Sequence, residues 1–98
     1  MDIMYKNNRL RKVCTDARIA DRIYGNEMAE KIQMRIDEIK AADTVEEMIQ
    51  FRIGRCHPLV HNRKGQYAMD LVHPYRLIFE KCGNHIQIAH IMEIVDYH

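Results

Sequence analysis

Three consecutive residues near the end of the chain, Asp96, Tyr97 and His98, bring together a carboxylate, a phenol and an imidazole. An imidazole has an unperturbed pKa of about 6.5 and so serves as acid or base near neutral pH. A neighbouring carboxylate can orient it and stabilise its charged form, and a phenol can donate a hydrogen bond or a proton. Chain ends fray unless they are held, and the apolar lead-in "IMEIV" is the segment able to hold this one. A second chemical group is Arg76, placed inside the apolar run "YRLIFEK". Its permanent charge and planar fork suit a phosphate or a carboxylate; a cross-strand ion pair on a solvated face is the plainer use. Arg63 and Lys64 lie beside Gly65 in a turn, as solvated cations or as contacts that position a phosphate backbone. His57 and His90 are further imidazoles in the same half of the chain, and His73 precedes Pro74 in a second turn.

The elements that must carry these groups fall into two halves. "DIMYK" alternates weakly and reads as a first strand. From Asn7 to Ile23, Leu10, Val13, Ala17 and Ala20 recur at helical spacing, with Cys14 and Tyr24 extending the same face. Gly25-Asn26 marks a stop, and a second helix follows with Met28, Ile32, Ile36 and Ile39 on one stripe. Thr44 and Glu47 form a capping-box pattern ahead of a short helix, "TVEEMI". After Phe51, Pro58, Gly65, Pro74 and Gly83 punctuate the strand-like runs "QYAMDLV", "YRLIFEK" and "HIQIAHIMEIV". In the second run Tyr75, Leu77 and Phe79 face the core, and Arg76 and Glu80 the other side. The last run is apolar on both parities, as expected of a central strand or one covered on both sides. The order is β-α-α-(short α)-β-β-β: a single α+β domain over residues 1–98, with a small sheet and its helical hairpin on one face.

Register decides whether Arg76 and the terminal triplet can meet. A tight turn at Cys82-Gly83-Asn84 would set Arg76 opposite His90, leaving His98 about 26 Å further along an extended chain, and would favour His90 as the imidazole beside Arg76. A longer connection would move Arg76 opposite a residue nearer Ile94.

Composition narrows the classes. The 98 residues are 47% apolar and 30% charged, suiting a soluble domain with a modest core. No run approaches the roughly 20 apolar residues of a membrane span, and the N-terminus lacks the apolar segment of a signal peptide. Three widely spaced cysteines, Cys14, Cys56 and Cys82, argue against a disulfide framework and for a reducing cytoplasm. Net charge is +1, spread unevenly: residues 1–20 carry five basic and two acidic groups, 21–50 four and eight, 51–98 six and four, with all six histidines in the last part. This permits polyanion binding without demanding it. Cys56, His57, His61, Cys82 and His85 include zinc-type ligands, but their spacing lacks two tight pairs.

Three segments in order, "GRCHPLVHNRKGQYA", "HPYRLIFE" and "EIVDYH", preceded by "AADTVEEM", resemble the HigB-like toxins of the RelE/ParE superfamily, the plasmid-maintenance killer proteins. The likeness runs from about Tyr5 to His98; it departs in a short connection from Glu80 to Ile86 and in the low net charge. It implies a ribosome-dependent mRNA endonuclease that needs no metal or other cofactor, in which the RNA 2′-hydroxyl attacks the adjacent phosphorus. Such chemistry requires a base, an acid for the leaving 5′-oxygen, and positive charge on the phosphorane. The resemblance implies Arg76, Asp96, Tyr97 and His98 as the catalytic set and Arg63, Lys64, His57 and His90 as RNA contacts. It also implies a cognate HigA-like helix-turn-helix antitoxin, a toxin–antitoxin hetero-oligomer on operator DNA, and no membrane. Alternatives are a ParE-type gyrase poison on the same scaffold, a metal-binding module, and an inert antitoxin-binding partner.

Overall fold

A computed structural model describes residues 1–96. Tyr97 and His98 lie outside the described residues. A first strand, β1 (Asp2–Tyr5), leads into α1 (Asn8–Thr15), α2 (Ala17–Tyr24), α3 (Asn26–Ala41) and the short α4 (Val45–Gln50). The second half holds β2 (His57–Pro58), β3 (Gln66–Asp70), β4 (Tyr75–Cys82) and β5 (Ile88–Asp96), with 3-10 turns at Ile53–Arg55 and His61–Arg63.

The helix expected from Asn7 to Ile23 is two helices, and Asp16 divides them. Its backbone leaves the helical region (φ −127°, ψ 105°), its N–H closes α1 on the Lys12 carbonyl at 2.9 Å, and its carboxylate accepts from the Arg18 N–H at 3.0 Å to open α2. Short polar side chains offer the backbone such alternatives to continuing a helix. Apolar spacing could not reveal the break, because α1 and α2 both turn their apolar side to the core. Beyond Gly25, α3 buries Met28, Ala29, Ile32, Ile36 and Ile39, the stripe its spacing predicts. The Thr44 hydroxyl accepts from the Glu47 N–H at 3.1 Å and caps α4, whose Val45 and Met48 are buried.

The strands form one sheet in the order β1-β5-β4-β3-β2, with β1 parallel to β5 and every other pair antiparallel. Helices cover one face, where Met69, Leu77, Phe79, Ala89 and Ile91 join the helical stripes in a single core. Phe79 has no exposed surface and stacks on Tyr67 with ring centroids 5.5 Å apart.

The β4–β5 connection is the longer of the two anticipated. It spans residues 83–87, and it sets Arg76 opposite Val95 and Tyr75 opposite Asp96. His90 instead faces Glu80, so the tight-turn pairing of Arg76 with His90 does not form. Gly83 permits the bend: its φ is +90°, and a β-carbon there would sit 2.2 Å from the Ile86 carbonyl oxygen. The two-parity pattern of β5 has a local cause as well. Phe79 pairs with Ile91 and Ile78 with Glu93, so Met92 is an extra residue in a bulge. Before it the odd positions face the helices; after it the even ones do. Ile91 and Ile94 are thereby both turned to the core without the strand being covered on both sides.

Candidate functional site

The face of the sheet away from the helices is built in rows, because directly opposed residues share a side. One row runs His57, Ala68, Ile78, Glu93; a second runs Asp70, Arg76, Val95; a third runs Gln66, Glu80, His90 and Met4. Arg76 and Glu80 occupy this face, as strand alternation predicts. Ala68 and Ile78 are buried although they lie outside the main core. Polar side chains close over them: Arg63 reaches from its 3-10 turn to pair with Glu93 and lies 3.3 Å from Gln66, which in turn donates to Glu80 at 3.1 Å. Arg63 is thus already committed to a carboxylate, whereas Lys64 is exposed beside Gly65.

At one end of this face three charged groups converge. Asp70, the last residue of β3, receives Arg55 Nε at 3.0 Å on one oxygen and lies 3.6 Å from Arg76 Nε through the other. The second distance is an ion pair rather than a hydrogen bond. These residues line a cleft of about 220 Å³ with Leu71, His73, Pro74 and Tyr75. His73 and Pro74 belong to the turn between β3 and β4, closed by the Leu71 N–H on the Tyr75 carbonyl at 3.0 Å. Arg35 of α3 fixes the cluster from below. Its Nε donates to the Asp70 carbonyl at 2.6 Å and its Nη1 to Glu38 at 2.7 Å. Gly54 lies directly over that guanidinium; a β-carbon on it would come within 2.7 Å of Arg35 Nε.

Arg55 reaches Asp70 by an uncommon backbone path. Arg52, Gly54 and Arg55 all have left-handed φ, at 54°, 59° and 54°, a region that disfavours side chains with a β-carbon by roughly 1–2 kcal/mol per residue. The same turn delivers His57. Its Nδ1 lies 2.7 Å from the Arg55 carbonyl, and because a carbonyl only accepts, Nδ1 carries the proton and Nε2 presents the lone pair of the neutral ring.

Asp96, an even position beyond the bulge, is turned to the helix side with Tyr75, whereas Arg76, His57 and His90 are distributed along the outer face. Arg76 and His57 are on it near the cleft, in adjacent rows. His90 is on it across from Glu80, four residues beyond Arg76 along β4, a displacement of about 13 Å. Asp96 pairs across from Tyr75, one register step beyond Arg76's partner Val95. Of the predicted catalytic set, Tyr97 and His98 lie outside the described residues. Sequence reasoning did not single out Arg55, Asp70 or Arg35. Asp70 carried a signal, being a lone carboxylate in an alternating strand ahead of a turn that leads to Arg76. Arg35 and Arg55 carried none, since they meet Asp70 only through the tertiary fold.

The zinc-type residues are held apart: Cys56 is buried beside β2, while Cys82 ends β4 and His85 sits in the following connection. Among the described residues no three His, Cys, Asp or Glu side chains group as metal ligands. Burial pushes the Cys14 and Cys56 thiols up to about 12, which keeps both protonated and unreactive at neutral pH. No described helix is long and apolar enough to cross a membrane.

The whole chain superposes on a YoeB/ParE toxin from Agrobacterium tumefaciens, covering 100% of both chains with a TM-score of 0.62 at 12% sequence identity. The fold is RelE/ParE-like. A likeness at that identity is one of fold. No protein-family model and no curated protein matches the sequence.

Proposed function

We propose that this chain is the toxin of a toxin–antitoxin pair, a HigB-like endoribonuclease that cuts mRNA on the ribosome and arrests growth. The observation that carries this reading is the register of β4 and β5. With Arg76 across from Val95 and Asp96 across from Tyr75, the acid–base triplet Asp96-Tyr97-His98 begins at the end of the sheet where the arginines gather. The RelE/ParE-like fold and the motif order support the same assignment.

In the proposed reaction a base takes the proton of the RNA 2′-hydroxyl, the O2′–P bond forms, the P–O5′ bond breaks, and an acid protonates the departing 5′-oxygen. The products are a 2′,3′-cyclic phosphate and a 5′-hydroxyl. Arg76 stabilises the charge that develops on the phosphorane; Asp96, Tyr97 and His98 supply the proton transfers as a set. His57, with Nδ1 tied to a carbonyl and Nε2 available as a base, is a second imidazole on the same face. Lys64 and Arg63 position the RNA backbone, with Arg63 first exchanging Glu93 for a phosphate. A HigA-like antitoxin in the cytoplasm neutralises the toxin, and the pair assembles on operator DNA.

The test is induction without antitoxin, comparing wild type, Arg76→Ala and His98→Ala by growth and by primer extension on a translated reporter mRNA. Arrest with new 5′ ends in the wild type, and neither in folded variants, is the expected result. Arrest without new 5′ ends would overturn the nuclease and favour a gyrase poison.

A further inference from the structure

The Arg55–Asp70–Arg76 cluster is too elaborate to be explained by the ion pairs it contains. The Arg55 side chain is 69% exposed and that of Asp70 31% exposed, and an exposed pair contributes little to stability. Two left-handed arginines in the preceding turn cost more than that. The chain also reserves Gly54 over Arg35, and Arg35 in turn anchors the Asp70 backbone. Strain and support of this kind concentrate at binding sites.

We infer that Arg55 and Arg76 form a two-arginine seat for one phosphodiester of a single-stranded nucleic acid, and that Asp70 is the positioning residue that sets the spacing of the two guanidiniums. The inference rests on the reading above for the identity of the strand as RNA, and it adds Arg55 and Asp70 to the site. Geometry supplies the reasons. Both arginines address Asp70 through Nε, one on each carboxylate oxygen, so a single carboxylate sits between the two guanidiniums, and all three residues line the same 220 Å³ cleft. Among the described groups that line the cleft, Arg55 and Arg76 are two cations against the one anion of Asp70, a balance suited to one phosphate rather than to a neutral ligand. Asp70 repels that phosphate while it holds the arginines. Its presence therefore lowers affinity and improves alignment.

Those opposed effects give the test, made on the full chain with a 2′-deoxy single-stranded oligonucleotide that 2′-hydroxyl chemistry cannot cleave. Arg55→Asn retains a residue that tolerates left-handed φ and is expected to weaken binding and to reduce the slope of log affinity against log salt by about 0.7, the loss of one phosphate contact on a single strand. Arg55→Lys is expected to restore the slope but not the full affinity, since an ammonium lacks the fork. Asp70→Asn removes a unit charge about 5 Å from the bound phosphate and is expected to tighten binding about fourfold or more. The same variant is expected to slow cleavage of reporter mRNA, lowering kcat while KM falls. Thermal melts check folding of each variant. An unchanged affinity and slope in Arg55→Asn, weaker binding by folded Asp70→Asn, or no binding of the oligonucleotide by the wild type would each overturn the seat. None of these depends on cleavage, so they fail separately from the nuclease reading, which stands or falls on new 5′ ends in induced cells.

Discussion

Gly54 determines where the Arg35 guanidinium can lie, and through it where Asp70 sits. Arg35 is 89% buried by side chain, donates to the Asp70 carbonyl at 2.6 Å and pairs with Glu38; Gly54 leaves it space that a β-carbon would occupy, 2.7 Å from Nε. At φ 59° an alanine carries a left-handed penalty of about 1 kcal/mol. Displacing a partly buried charged donor adds about 1.5–3 kcal/mol. Gly54→Ala is therefore expected to destabilise the protein by roughly 2–4 kcal/mol, read as a shift in the urea midpoint. A double-mutant cycle separates the two contributions. In an Arg35→Ala background the same change is expected to cost only the backbone part, and an undiminished cost there would show that contact with Arg35 is irrelevant.

The β5 bulge shows how an element can be legible in type and opaque in detail. Strand character in "QYAMDLV", "YRLIFEK" and "HIQIAHIMEIV", the α3 stripe and the α4 cap were all written in periodicity and cap chemistry. Breaks in period were not: Asp16 splits one helical pattern without disturbing its apolar face, and Met92 shifts the parity of β5 so that Ile91 before it and Ile94 after it both face the core. The site divided the same way. Arg76 announced itself as a charge in an apolar strand, but Arg55 meets Asp70 only because three left-handed residues swing it across 15 positions of sequence. Deleting Met92 tests the role of the bulge. Ile91 and Glu93 would then pair with Phe79 and Ile78 without interruption, every remaining residue would keep its face, and the protein is expected to fold with a loss of about 1–2 kcal/mol for one half-buried methionine. Bulges bend and twist the strand beyond them, so the deletion is expected to re-aim Asp96 and abolish growth arrest. Met92→Ala, which keeps the bulge, is expected to retain it. Arrest by the deletion variant would show that the bulge does not aim the terminal segment.

Across the whole molecule, the helical layer is tied to the connection that sets the site's register. Gln87, at the end of the 83–87 connection, accepts from the Val45 N–H at 2.8 Å and donates to Glu46 at 2.7 Å, while Lys81 of β4 pairs with Glu46 at 2.8 Å. These hydrogen bonds, from Gln87 first and Lys81 second, lower the Glu46 pKa from an ordinary 4.5 to about 2. Glu46 in turn raises the Lys81 pKa; the two shifts describe one interaction and count once. For a carboxylate whose folded pKa is depressed, the contribution to stability is complete above the unfolded value and disappears as pH falls through the folded one. The window here runs from about 4.5 down to about 2. Because the Glu46 side chain is 58% exposed, solvent screening holds the contribution to less than about 1 kcal/mol. Urea midpoints of wild type and Glu46→Gln are expected to differ by that small amount at pH 6, to converge progressively below pH 4.5, and to differ less at high salt throughout. A difference that survives undiminished at pH 2 would mean that the glutamate stabilises the connection by packing rather than by charge.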